Sequence, residues 1–72
     1  SLKKYLISEI TIVNKAIGLL KNKVSNNVVK IKLNEVSQQL NLIKKENKIR
    51  DKHLVSLLRS YSLIKELNNV TK

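Results

Sequence analysis

The first 24 residues carry an apolar pattern that strongly constrains their fold. Leucine, isoleucine and valine recur at spacings of four and three, which places them on one face of a helix turning by about 100° per residue. This row consists of Leu2, Leu6, Ile10, Val13, Ile17, Leu20 and Val24. A second row beside it, Tyr5, Ile12 and Leu19, repeats every seven residues. Together the rows cover about half of the helix circumference, so we expect this helix to contact at least two neighbours.

Helix ends must be marked by asparagine, serine and charge, because the chain has no proline and its one glycine is Gly18. Two such clusters, Ser25-Asn26-Asn27 and Lys44 to Lys48, divide the chain into three comparable segments. We therefore predict an all-α, three-helix domain, with one unbroken helix through the first cluster as the main structural alternative. The helices are expected near residues 2–23, 34–45 and 51–68.

The middle segment allows two interpretations. Val29, Leu33, Val36, Leu40 and Ile43 follow helical spacing, but residues 29–33 also alternate strictly between apolar and charged side chains, as in a strand. Asn34 could cap a helix that runs from Glu35. The sequence thus predicts a helix from residue 34 and leaves 28–33 as either helix or a short strand.

The third segment opens at Asp51, which we expect to be a helix N-cap. One apolar stripe follows, consisting of Leu54, Leu57, Leu58, Tyr61 and Ile64, and a second lies nearly opposite, consisting of Leu63, Leu67 and Val70. Two opposed stripes indicate a helix between two neighbours, one of them from another chain. The predicted core comprises Leu6, Ile10, Val13, Ile17, Leu20, Val36, Leu40, Leu54, Leu57, Leu58 and Tyr61.

The length of 72 residues is enough for a single domain, 1–72, which we expect to be a module of a larger protein. Such a small core is marginally stable, and the absence of cysteine excludes disulfides. A partner chain is the remaining means of stabilisation, so we predict self-association as a two-fold dimer. The expected interface comprises Tyr5, Ile12, Leu19, Leu63, Leu67 and Val70.

Residues suited to catalysis are few. The five acidic residues, Glu9, Glu35, Glu46, Asp51 and Glu66, are scattered over separate segments. The sequence contains no glycine-rich phosphate loop and no metal-ligand cluster, and no acid is spaced to orient His53 against a nearby serine. We therefore predict that the chain is not an enzyme and holds neither a metal nor a cofactor.

Positive charge is the most informative functional feature, because lysine and arginine outnumber acids and give a net charge of +10. The densest cluster lies between the second and third predicted helices and could grip phosphates. Its members are Lys44, Lys45, Lys48, Arg50, Lys52, His53 and Arg59. We predict a weakly sequence-specific nucleic-acid-binding module, with duplex DNA as the ligand. The competing interpretation of the cluster is a solvated surface without a ligand.

Other functions also fit the pattern. The leading alternative is a helical oligomerisation or docking domain whose basic surface selects an acidic protein partner. An interfacial membrane helix ranks third, because the first segment has lysines but no tryptophan or phenylalanine anchor. No apolar run approaches the roughly 20 residues of a membrane span, and no signal-peptide pattern is present. We expect an intracellular protein, nuclear or nucleoid-associated if it binds DNA.

Overall fold

The computed structural model describes residues 1–70, which form three α-helices. These are α1 (Leu2–Lys23), α2 (Asn27–Lys44) and α3 (Asp51–Val70). The predicted all-α three-helix fold is confirmed, and the alternative of one helix through Ser25-Asn26-Asn27 is wrong, because the chain leaves the helix at Val24. None of the helices up to Val70 has the length and apolar content needed to cross a membrane.

Helix α1 has the predicted bounds. Its start is capped by Ser1, whose Oγ accepts a hydrogen bond from the backbone N–H of Lys4. Its last turn carries Lys21 and Lys23, whose charges complement the negative end of the helix dipole. The 3,4-spaced row packs inward from Leu6 to Leu20 as predicted.

Helix α2 begins seven residues earlier than predicted, at Asn27 rather than Asn34. The cap is Asn26, whose Oδ1 accepts hydrogen bonds from the backbone N–H groups of Val28 at 2.8 Å and Val29 at 3.4 Å. A strand at 28–33 is therefore wrong, since these residues are helical throughout. Leu33 is 0% exposed while Ile31 is 58% exposed. On a strand these two side chains would lie on one face.

Helix α3 begins at Asp51, but Asp51 is its first helical residue and not its cap. The carbonyl of Arg50 accepts the first bonds of the helix, from the backbone N–H groups of His53 at 3.0 Å and Leu54 at 3.4 Å. In return, the backbone N–H of Arg50 donates to His53 Nδ1 at 3.0 Å. The bond from the backbone N–H of Arg50 to His53 is one half of a capping box, with histidine at the position where glutamate or glutamine is usual.

The three helices run up, down and up. Side-chain bonds show that α1 and α2 are antiparallel, because Asn14 bonds Asn41 and Ser37 while Lys21, farther along α1, bonds Asn34. Residues 45–50 connect α2 to α3. In the two clefts between these helices, the end of α2 lies opposite the start of α3, and earlier residues of α2 lie opposite later residues of α3. Helix α3 therefore runs parallel to α1, and the starts of α1 and α3 lie at the same end of the bundle.

The core consists of aliphatic residues from all three helices, and nine of the eleven predicted members are either buried in it or packed against it as half-buried side chains. The predicted core also contained Val36 and Leu54, which are half-buried. The buried residues of the observed core are Leu6, Ile10, Val13, Ile17, Leu20, Val24, Leu33, Leu40, Ile43, Leu57 and Ile64.

The predicted inward face of α3 is partly wrong. Leu58 is 64% exposed and Tyr61 is 36% exposed, while His53 and Ser60 are buried in the positions expected for apolar residues. Leu63 and Leu67, assigned from the sequence to a neighbouring chain, pack as half-buried residues against their own core. The opposed stripes of α3 therefore no longer require a second chain.

Candidate nucleic-acid interface

The predicted basic cluster lies mostly at one end of the bundle, where α2 ends and α3 begins. Lys44 is half-buried in the last turn of α2, and Lys45, Lys48, Arg50 and Lys52 are exposed. Glu46 and Asp51 lie among these residues and offset part of their charge. Five of the seven predicted residues therefore lie together in the structure and concentrate positive charge at this end.

The connection that carries these cations is held at three places. At its start, the backbone N–H of Lys45 donates to Leu42 O at 3.1 Å. In its middle, Ile49 is half-buried against the core. At its end, the reciprocal bonds between Arg50 and His53 fix the entry into α3. The backbone beneath the exposed side chains is therefore positioned by packing and hydrogen bonds.

His53 has a structural position within this region. Its side chain is 5% exposed, and its Nδ1 accepts the backbone N–H of Arg50. The acceptor role of Nδ1 places the ring proton of the neutral imidazole on Nε2. His53 therefore holds the backbone of a cationic neighbour and does not itself extend the exposed charge.

Arg59 lies apart from the other cations of the predicted cluster. It is eight residues beyond Asp51 on α3, a rise of about 12 Å along the helix. There it lines an open groove of about 500 Å³ between α2 and α3, together with Lys32 and Glu35. The separation follows from the continuous helix, which carries Arg59 away from the connection.

The end of the bundle that carries Lys44, Lys45, Lys48, Arg50 and Lys52 is called the cationic end here. Two further lysines, absent from the predicted site, also lie at this end. Lys3 and Lys4 occupy the first turn of α1, and the up-down-up topology places this turn at the end of the bundle where α3 begins. Lys4 is exposed and Lys3 is half-buried. Their position could have been predicted from the sequence, because in an up-down-up bundle of three helices the first and third helices start at the same end.

The predicted oligomer interface is divided by the fold. Tyr5, Ile12 and Leu19 lie on the outer face of α1 and are 60%, 57% and 60% exposed. Leu63 and Leu67 are instead half-buried in the chain's own core, and Val70 is 76% exposed at the end of α3. Self-association stays a prediction, and of its predicted interface only the row on α1 and Val70 are exposed.

The cationic end has chemistry suited to phosphate groups. Ammonium and guanidinium groups bind phosphate oxygens by charge-assisted hydrogen bonds. The starts of α1 and α3 add the positive ends of two helix dipoles, against one negative end from α2. Among residues 1–70, no group of three or more histidine, cysteine or acidic side chains is arranged to hold a metal ion. The arrangement therefore supports anion binding by charge and hydrogen bonding.

Known proteins provide no further guide to this surface. The chain was compared with models of protein families, with curated proteins and with solved structures. None of the three comparisons found a match.

Proposed function

We propose that this chain is a non-enzymatic nucleic-acid-binding module that contacts the phosphates of duplex DNA. The observation that carries the proposal is the concentration of cations, most of them exposed, where α2 ends and α3 begins. The contacts would come from Lys44, Lys45, Lys48, Arg50 and Lys52, with Lys3 and Lys4 extending the surface from α1. His53 would contribute by holding the backbone of Arg50.

The size of the bundle fits a contact across one groove. Its two shorter dimensions are 18 and 17 Å, compared with a major groove about 12 Å wide. An end of this breadth can reach phosphates on both sides of a groove. Each phosphate that the module neutralises releases counterions, so its affinity should fall with salt in proportion to the number of phosphates contacted.

Weak sequence preference follows from the side chains available. Specific reading of bases often uses the bidentate hydrogen bonds of arginine to guanine, and this chain has only Arg50 and Arg59. Arg59 lies in the groove between α2 and α3, away from the cationic end. Contacts would therefore be made mainly to the phosphate backbone, which positions a protein without reading the sequence.

The test is a titration of short duplex DNA with the wild type and two variants of equal charge. In the first, Lys44, Lys45, Lys48 and Arg50 are changed to glutamine; in the second, the exposed Lys15, Lys23, Lys32 and Lys65 are changed to glutamine. We expect wild-type binding at near-physiological salt to be tighter than roughly 10⁻⁴–10⁻⁶ M, the range of non-specific binding. The first variant should lose this binding and the second should largely keep it.

Salt dependence gives a second readout from the same titration. Each phosphate contact contributes about 0.9 to the slope of log affinity against log salt, so loss of the four cations should flatten that slope by up to about 3.6 units. Equal losses in both variants would show that affinity follows net charge alone. That result, or wild-type binding no tighter than the non-specific range, would make the cluster a solvated surface.

A further inference from the structure

A row of exposed apolar side chains runs along the outer face of α1. It consists of Tyr5, Ile12 and Leu19, which repeat every seven residues and are each more than half exposed. Single exposed apolar residues are normal on a protein surface. A regular row is different, because it places apolar side chains about 10.5 Å apart along one line of the helix, and the chain's own helices leave them exposed.

Helix α3 widens this row into a surface between two helices. Tyr61 of α3 donates a hydrogen bond from its hydroxyl to Glu9 Oε1 at 2.9 Å, and the hydroxyl of Tyr5 lies 3.5 Å from the same oxygen. Leu58, one turn before Tyr61, is 64% exposed. The apolar surface therefore comprises Tyr5, Ile12 and Leu19 from α1 with Leu58 and Tyr61 from α3.

The spacing of this surface matches a helical occupant. A repeat of seven residues is the period of side chains along a coiled-coil seam. Leu19 lies 14 residues after Tyr5, which is about 21 Å of helix. A helix of about four turns lying along α1 and α3 would cover it and would complete a bundle of four helices.

The charge around the surface indicates what kind of helix fits. Exposed lysines lie beside the apolar row, at Lys15 and Lys23 on α1 and at Lys65 on α3. The nearby acid, Glu9, already accepts hydrogen bonds from both tyrosines. A second copy of this chain would bring together two molecules of charge +10, whereas an acidic helix would pair with the lysines.

We propose that the apolar surface on α1 and α3 is a docking site for an acidic amphipathic helix of another protein. The occupant's apolar face would cover Ile12, Leu19 and Leu58, and its flanking carboxylates would meet Lys15, Lys23 and Lys65. This site shares no residue with the cationic end and does not depend on DNA binding.

The probe for this site is a designed peptide of about 21 residues, or three heptads, with leucine at the seam and glutamate at the flanks. One control peptide has the same composition in scrambled order, and another carries lysine in place of glutamate. Binding is followed by fluorescence anisotropy of the labelled peptide. We expect the acidic helix to bind at least about tenfold tighter than either control peptide.

Matched variants of the protein locate the binding. Ile12→Gln with Leu19→Gln should weaken binding of the acidic peptide by about tenfold or more. Val28→Gln with Ile31→Gln, which alters two exposed apolar residues of α2, should leave it unchanged. All four substituted side chains are exposed, and circular dichroism would verify that both variants keep the helical fold.

Three outcomes would overturn the proposal. The first is equal binding of the scrambled peptide, since attraction would then depend on charge alone. The second is equal loss in both protein variants. The third is a wild-type dimer, seen by light scattering, that dissociates in the Ile12→Gln, Leu19→Gln variant, which would make a second copy the occupant.

Discussion

Gly18 occupies the exposed side of α1, well inside a helix of 22 residues. A Cβ built at this position would meet no neighbouring atom within 4 Å. Glycine in a helix interior is less favourable than alanine by about 1 kcal/mol, because it loses more backbone freedom on folding. Nothing in the local packing offsets this difference.

We therefore expect Gly18→Ala to raise the free energy of unfolding by about 1 kcal/mol. For a domain of this size, the midpoint of thermal unfolding should rise by about 4–8 °C. Far-UV circular dichroism, which follows the loss of helix, measures this midpoint. An unchanged or lower midpoint would contradict the conclusion that Gly18 destabilises α1.

Tyr61 provides a pH-dependent contribution to stability. Partial burial, followed by the hydrogen bond to Glu9 and the charge of that carboxylate, raises the pKa of Tyr61 above its ordinary value of 10.0. The folded chain thus keeps a phenolic proton that the unfolded chain releases more readily. The resulting stabilisation is fully present below pH 10.0 and is lost as the pH rises through the folded-state pKa.

The matched comparison for this effect is Tyr61→Phe, which removes the hydroxyl and keeps the ring. We expect wild type to be the more stable protein near neutral pH and its advantage over the variant to shrink above pH 10.0. Urea unfolding of both proteins across this range measures the difference, and the comparison cancels the titration of the lysines. A difference that grew with rising pH would contradict the assignment.

At the scale of single elements, the burial pattern of α2 distinguishes between the helix and the strand that its sequence allowed for residues 28–33. A helix buries Leu33 and exposes Ile31, as observed, whereas a strand would place both on one face. We expect Leu33→Ala to lower the free energy of unfolding by about 2–5 kcal/mol. Ile31→Ala, on the exposed side, should change it by less than about 0.5 kcal/mol.

Urea unfolding of the two variants measures this contrast. Leu33→Val gives a milder version of the same comparison if the alanine variant does not fold. Similar losses at both positions would be the result expected of a strand, and they would contradict the helical start of α2.

The predictability of each helix depended on the length of its pattern. For α1 the row from Leu2 to Val24 runs through six turns, so both its bounds and its buried face followed from the sequence. In α2 the alternation of residues 29–33 was too short to distinguish helix from strand. The cap at Asn26 resolves the ambiguity, because its side chain satisfies amide groups at a helix start.

The inward face of α3 could not be predicted by counting apolar residues. Ser60 is buried because its hydroxyl donates to the carbonyl of Ser56 at 2.9 Å, and His53 is buried because its ring accepts the N–H of Arg50. Polar side chains with such local partners can lie inside a core. Sequence order does not show which polar groups will find a partner.

At the scale of the whole molecule, the candidate site was predicted where its residues are contiguous and missed where they are not. Lys44 to Lys52 stay together because they lie on one short connection and on the helix turns at either side of it. Arg59 leaves the cluster because α3 continues, and Lys3 and Lys4 join it only through the packing of three helices. The proposed DNA surface thus occupies one end of a molecule 37 Å long, and the docking surface lies along its side.

The polar residues on the inner face of α3 have a consequence for how the molecule opens. Helix α3 fully buries only two apolar side chains, Leu57 and Ile64, whereas α1 buries five. Less apolar burial makes α3 the helix whose detachment requires the least free energy. Amide hydrogens of α3 would then exchange with solvent through partial opening, while α1 and α2 remain paired. Any ligand that spans α1 and α3 would suppress this opening and thereby stabilise the whole chain.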